Sequence, residues 1–222
     1  MSRKPRLVIP GYVHHVTQRG NHRQNVFFSD EDRKFYLELL ERQVEAKEVM
    51  LLGHSLMTNH VHQAPIPRTE DSLSQAMRTL DRDFARYQNL RCKRTGHLWQ
   101  GRFFSCPVYD MWEVLAYIEL NPVRAGIVEN PLDWEWSSAR AHLTGEDCSG
   151  LLDMDLWRKH FDRYSWREYL IQAASKREAH DRIRKATRTG RFCGPEDITK
   201  KLEQEYRKSA QGKYGLQLNK KA

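Results

Sequence analysis

From Val13 to Leu120 the hydrophobic positions alternate between a period of two and a period near 3.6, which sets out a series of strands and helices. Val13 to Gln18 reads as a strand ending at the turn-forming triplet Arg19-Gly20-Asn21. Ser29 then stands as an N-cap before Asp30, Glu31 and Asp32. Phe35, Tyr36, Leu39, Leu40 and Val44 follow at helical spacing, so a helix is expected over 30–47. Val49 to Met57 is an apolar strand interrupted by Gly53 and His54. Thr58-Asn59 turns it into a second strand, His60 to Ala64, which Pro65 and Pro67 are expected to stop. Leu73, Met77, Leu80, Phe84 and Tyr87 mark the buried face of a helix over 70–91. Phe103 to Tyr109 reads as the next strand, and Trp112 to Leu120 as a helix stopped by Asn121-Pro122.

Strand, helix, strand, strand, helix, strand is a ferredoxin-like order. The expected class is therefore α+β, a β-α-β-β-α-β core with an antiparallel sheet and its helices on one face. From about residue 133 the pattern turns helical and Trp-rich (Trp134, Trp136, Trp157, Trp166). The last 45 or so residues are charged and weakly patterned, with a break from Gly190 to Pro195. A chain of 222 residues is one domain with an appendage, or at most two small domains.

Composition sharpens this picture in one respect. Residues 176–222 hold 14 of the 37 basic residues and 6 of the 29 acidic ones, so they carry the whole net charge of +8. An anionic partner, solubility and disorder are all open readings of such a segment. Cys92, Cys106, Cys148 and Cys193 form no C-x-x-C pair, which leaves free thiols in a reducing cytosol as the expectation. Only Leu7, Val8 and Ile9 precede Pro10-Gly11, too short a run for a signal-peptide core, and no later run approaches a membrane span. A cytoplasmic protein without membrane contact is expected. No Gly-rich phosphate loop is present, so no nucleotide cofactor is expected.

Candidate chemistry centres on Met57-Thr58-Asn59-His60-Val61-His62 and Tyr117-Ile118-Glu119-Leu120-Asn121. Strand alternation puts His60 and His62 on one side, with Val61 turned into the core. Tyr117 and Asn121 share a helix face one turn apart. Two imidazoles and an amide oxygen can hold a divalent metal, and a phenol beside them can attack a phosphodiester. Each residue also has a structural reading. Strand histidines are commonly hydrogen-bonded, Tyr117 can pack beside Leu115 and Leu120, and Asn121 can cap the helix. Tyr109 is a rival nucleophile. Glu119 points away from Tyr117 and reads as a solvated charge, whereas His14, His15 and His54 read as structural or DNA-facing.

His60-Val61-His62 resembles the signature of the HUH single-tyrosine nucleases, and the wider set resembles the REP-associated tyrosine transposases, relatives of small insertion-sequence transposases. The matching pieces are His15-Val16-Thr17-Gln18-Arg19-Gly20-Asn21, Met57 to His62, Trp99-Gln100-Gly101-Arg102-Phe103, and Tyr117 to Val128. They cover residues 11–143, in the family's order. The resemblance implies a catalytic domain over 1–130; a helical extension over 131–175 packed on it is expected, and a basic tail over 176–222 is expected from its own composition. The resemblance also implies Tyr117 as nucleophile, with His60, His62 and Asn121 holding Mg²⁺ or Mn²⁺. Attack would leave a 5′-phosphotyrosine and a free 3′-hydroxyl. Thr58 stands where the family commonly has Pro, and Gln63-Ala64-Pro65 where it has a longer aliphatic run, so that strand is expected to be shorter.

The implied partner is single-stranded DNA carrying palindromic hairpins from repetitive extragenic palindromes, bound by a monomer. Candidate DNA contacts are Arg3, Lys4, Arg6, Arg19, Asn21, His22 and Arg23 near the N-terminus. A second set is Arg78, Arg82 and Arg86, spaced along one helix face, with Arg94 and Arg102. Two other readings remain at this level: a non-catalytic palindrome-binding protein, and a metal-dependent RNA phosphodiesterase using water.

Overall fold

Residues 6–206 are described by the structure, a computed structural model. Four strands form one sheet: β1 (His14–Arg19), β2 (Val49–Leu56), β3 (His60–Pro67) and β4 (Phe104–Pro107), in the order β2-β3-β1-β4. Every pairing is antiparallel. With α1 (Asp30–Ala46) between β1 and β2 and α2 (Ser72–Arg91) between β3 and β4, the ferredoxin-like α+β core is complete.

Alternation along the strands divides the core in two. Val16 and Val61 face α1 and α2, joining Leu39, Leu73, Leu80 and Phe84. Ala64, Ile66 and Cys106 face the opposite layer, where α3 (Met111–Glu119) packs with later helices. These are α4 (Asn121–Arg124), α5 (Ala139–Thr144), α6 (Met154–Arg158), α7 (Arg163–Ala174) and α8 (Arg177–Thr189). Both faces of the sheet are therefore covered, the second by the C-terminal part of the chain. Among the described residues no helix is long and apolar enough to cross a membrane.

Local chemistry sets the element ends. Ser29 caps α1 in a capping box with Asp32. The Asp32 carboxylate also accepts from Tyr87 Oη at 3.1 Å and from Arg91, which ties the start of α1 to α2. Asp110 caps α3, its Oδ1 accepting from the Trp112 and Glu113 amides. Gly53 sits at a register shift in β2, and a Cβ there would come within 2.3 Å of Leu115 Cδ1. A side chain at this position would push the Leu115 and Ser138 side chains aside.

Two expectations need correction. β3 does not stop at Ala64: it runs through Pro67, paired with β2 as far as Val49↔Pro67. Pairing with β1 reaches only Gln63, so the prolines fall where one side of β3 has no ladder partner and their missing N–H groups cost no sheet bond. The C-terminal stretch is also more regular than its charge pattern suggests. α8 lies within it, with Ile183 and Ala186 in the core, and residues 196–206 are helical.

Candidate active site

His62, Thr17 and Phe104 form one row across β3, β1 and β4, since Thr17 pairs with His62 on one side and Phe104 on the other. His60 opposes Arg19 one row along. Their side chains share the sheet face that α3 covers, and the last turn of α3 brings Tyr117 over them. A cleft of about 500 Å³ results, whose lining includes His60, His62, Tyr117 and Asn121. The two separate sequence motifs thus meet in one place. A larger cleft, about 870 Å³, lies between α2 and residues 96–103. Its lining has a single histidine, His97, and includes the carboxylates Glu70, Asp71 and Asp81.

Each histidine of the pair has its Nδ1 engaged. Thr187 Oγ1 donates to the Ile183 carbonyl at 2.7 Å, so it accepts from His15 Nδ1 at 2.7 Å. His15 Nε2 is then the acceptor for His62 Nδ1 at 2.8 Å, and the lone pair of His62 lies on Nε2. At His60 the Asn59 amide does the same work. Asn59 Nδ2 donates to the Arg23 carbonyl at 3.1 Å, which aims Oδ1 at His60 Nδ1, 2.6 Å away. Arg23 and His22 adopt left-handed backbone, at φ 60° and 49°, to present that carbonyl. Burial keeps the imidazoles neutral. It lowers His15 to about 3 and His60 to about 4, and it pushes His62 well below its ordinary value, with neighbouring cations adding to each.

Tyr117 is 4 % exposed. Its ring stands edge-on to His15 and His62, with centroids 5.5 and 5.9 Å away. Arg124 Cζ lies 4.1 Å from the Tyr117 ring centroid, and Arg124 Nη2 donates to the Tyr117 carbonyl at 2.9 Å. From α8, Arg184 meets the Tyr117 side chain, and that hydrogen bond raises the pKa of Arg184. Two cations therefore flank the phenol, an arrangement that suits a phosphate group placed beside it.

Among the described residues no cluster of three or more His, Cys, Asp or Glu could hold a metal, so a third ligand has to come from elsewhere. Asn121 could supply it. It lines the cleft, and its buried side-chain Nδ2 has no hydrogen-bond partner. Amide oxygen and nitrogen are assigned only through their partners, so the same end of the side chain can present oxygen. Two neutral imidazole Nε2 atoms and one amide oxygen make a donor set that fits a divalent cation with open positions.

The other sequence candidates scatter. Arg19 lines the cleft. Arg6 and Arg102 border an adjoining cleft, and Arg6 also donates to the Phe103 carbonyl at 2.9 Å while stacking on its ring. Arg78 and Arg82 line the larger cleft, Arg82 paired with Asp83 at 2.7 Å. Arg86 is exposed on the same helix. Arg94 lies over Phe28, and Asn21 sits in the same small pocket. His22 and Arg23 form the exposed turn that serves Asn59. Arg3 and Lys4 lie outside the described residues. Tyr109 is 51 % exposed and does not line the cleft.

Glu119 corrects the reading of a solvated charge. It is fully buried, and it accepts from Ser138 Oγ at 2.6 Å, His142 Nδ1 at 2.6 Å and Trp166 Nε1 at 2.9 Å. It pins the tyrosine helix to α5 and α7. His14 is structural: it accepts from the Ile9 amide and donates to the Tyr12 carbonyl. His15 belongs to the site itself. Sequence reasoning also missed Asn59, Arg124, Arg184 and Thr187. For Asn59 the signal was adjacency to His60, and for Arg124 its position seven residues after Tyr117. Thr187 and Arg184 gave none.

The fold is thus a four-stranded antiparallel sheet that carries a paired-histidine strand under a tyrosine-bearing helix. Residues 9–121, just over half of the chain, match the family described as "Transposase IS200 like", and the chain belongs to that family. Its fold is similar to that of a REP-associated tyrosine transposase bound to a REP hairpin. That match has a TM-score of 0.55 and 20 % identity, and covers 70 % of this chain and 90 % of the other. A protein of Deinococcus radiodurans R1 described as a transposase candidate aligns with a TM-score of 0.38 and 17 % identity, over 57 % and 92 % of the two chains. No curated protein sequence matches the chain.

Proposed function

We propose that this transposase cuts and rejoins single-stranded DNA at palindromic hairpins, with Tyr117 as nucleophile. The observation that carries the reading is the placement of Tyr117. Its ring meets His62 and His15 edge-on in a cleft that Arg184 also lines, and Arg124 lies over the ring.

In the reaction the Tyr117 oxygen attacks the phosphorus, and the bond from phosphorus to the 3′ oxygen breaks. The phenol gives up its proton to solvent, the 3′ oxygen takes one up and leaves as a hydroxyl, and the DNA remains joined to Tyr117 through its 5′ phosphate. A 3′-hydroxyl can later attack that linkage and return the phenol, which needs no nucleotide cofactor. Arg124 and Arg184 offset charge on the phenol oxygen and the phosphate. His60, His62 and Asn121 would hold Mg²⁺ or Mn²⁺, which when bound polarises the scissile phosphate. Asn59, His15 and Thr187 keep the two imidazoles in the tautomer that offers Nε2. Hairpin DNA as substrate is drawn from the fold's likeness to the hairpin-bound transposase and from the excess of positive charge toward the C-terminus. We take the working unit to be a monomer in the cytoplasm.

The test is incubation of the protein with labelled hairpin DNA and Mn²⁺, followed by denaturing gels. A cleaved product and an SDS-resistant adduct are expected, both lost in Tyr117→Phe. Cleavage that survives Tyr117→Phe overturns the tyrosine mechanism and turns attention to water as nucleophile.

A further inference from the structure

The cleft at Tyr117 does not end there. A second cleft, about 460 Å³, adjoins it, and the two share Arg19, Gln100, Phe104, Thr187 and Arg188 in their walls. Together they make one trough between the C-terminal half of α8 and residues 100–105. Arg184 and Arg188 stand on one bank, and Arg19 and Arg102 on the other. Among the described residues no carboxylate lines either part. A trough of one sign tracks a polyanion.

Phe104 sits where the two parts join and is 44 % exposed, although the sheet face around it holds buried side chains. It shares a row with His62, two strand spacings away through Thr17, so its ring stands roughly 10 Å from the imidazole. That is the neighbourhood of a nucleotide next to the scissile one. An exposed aromatic among arginines matches a nucleobase on a phosphate backbone: the ring accepts the base face, and the cations take the phosphates.

We infer that Phe104 is a stacking platform for an unpaired nucleobase flanking the scissile phosphate, and that Arg188 and Arg102 hold the backbone of that single strand as it leaves Tyr117 along the trough. This rests on the reading of the chain as a single-strand nuclease. It adds a base subsite outside the metal and tyrosine machinery, built partly from α8, beyond the part of the chain that matches the family.

The experiment measures binding, with cleavage recorded separately. The full-length chain and its Phe104→Ala and Phe104→Trp variants are titrated by fluorescence anisotropy against a hairpin oligonucleotide with a single-stranded flank, and against a set in which one abasic site is moved along that flank. Thermal midpoints check that the variants fold. Phe104→Ala is expected to weaken the intact oligonucleotide about ten-fold, and Phe104→Trp to keep its affinity. One abasic position is expected to cost the wild type a similar factor and to cost Phe104→Ala nothing. Arg188→Gln is expected to lower the slope of log affinity against log salt by about one. Wild-type affinity in folded Phe104→Ala, or abasic penalties identical in the wild type and Phe104→Ala, overturns the subsite, as does the absence of oligonucleotide binding. If this coupling is present while the wild type forms no adduct on denaturing gels, the subsite stands and the nuclease reading fails.

Discussion

His62 Nδ1 stands 2.8 Å from His15 Nε2, and the far nitrogen of His15 stands 2.7 Å from Thr187 Oγ1, so a residue of α8 fixes the tautomer of a strand histidine 125 positions earlier. Thr187→Val keeps the shape and removes the acceptor. The expected result is a Mn²⁺ affinity about 10–100-fold weaker by titration calorimetry, with Thr187→Ser close to wild type. Equal affinity in all three proteins would remove the relay from the account.

His60 has a different test because it is anchored separately, through Asn59. His60→Ala is expected to abolish cleavage of hairpin DNA while leaving hairpin binding largely intact, since the arginines of the trough are untouched. Binding and cleavage are measured on the same preparation. Parallel loss of both would mark His60 as a structural residue.

Glu119 supports the site from below. With three buried donors converging on its carboxylate, Glu119→Ala leaves His142 Nδ1 and Trp166 Nε1 unpaired, and Ser138 Oγ with only its bonds to the His54 backbone. The expected loss is about 3–5 kcal/mol, a fall in thermal midpoint on the order of 10 °C for a chain of this size. Chemical denaturation that finds less than about 1 kcal/mol would mean the network relaxes or admits water.

Asp81 gives the protein a pH dependence of stability. Burial raises its pKa to about 7, although Gln18 Nε2 donates to it at 2.8 Å and Arg6 is near. A folded pKa above the unfolded value means that the native state binds the extra proton between about pH 4 and pH 7, so stability falls as pH rises through that window. Asp81→Asn removes the titration. Its thermal midpoint is expected to change less than that of the wild type between pH 5 and pH 8, and identical pH profiles would show that another group governs the decline.

Much of the scaffold was legible because its determinants are local. Ser29 with Asp32, the helical spacing of Leu73 to Phe84 and the alternation at His60-Val61-His62 need no knowledge of the rest of the chain. Pro65 and Pro67 misled because a proline stops a strand only if its N–H side has a partner, and β1 leaves that side open. Glu119 misled for a related reason. Its direction on the helix was right, away from Tyr117, but direction alone does not say that α5 and α7 come to cover it.

Cys106 and Cys193 make the same point. Nothing in their spacing links them, yet residues 193 and 108 bridge; burial, with Cys193 beside it, pushes the Cys106 thiol up, while proximity to Cys106 lowers Cys193. They stay free thiols. Sequence alone determined the strands, the helices, and which histidines, tyrosine and asparagine share a face, because those follow from periods of two and 3.6 along one segment. Tertiary structure decided how the site is finished: Thr187, Arg184 and Arg188 arrive from α8, and Asn59 turns inward only because the Arg23 carbonyl is there to hold it. Contacts between distant segments depend on packing across the sheet, and no local period encodes them.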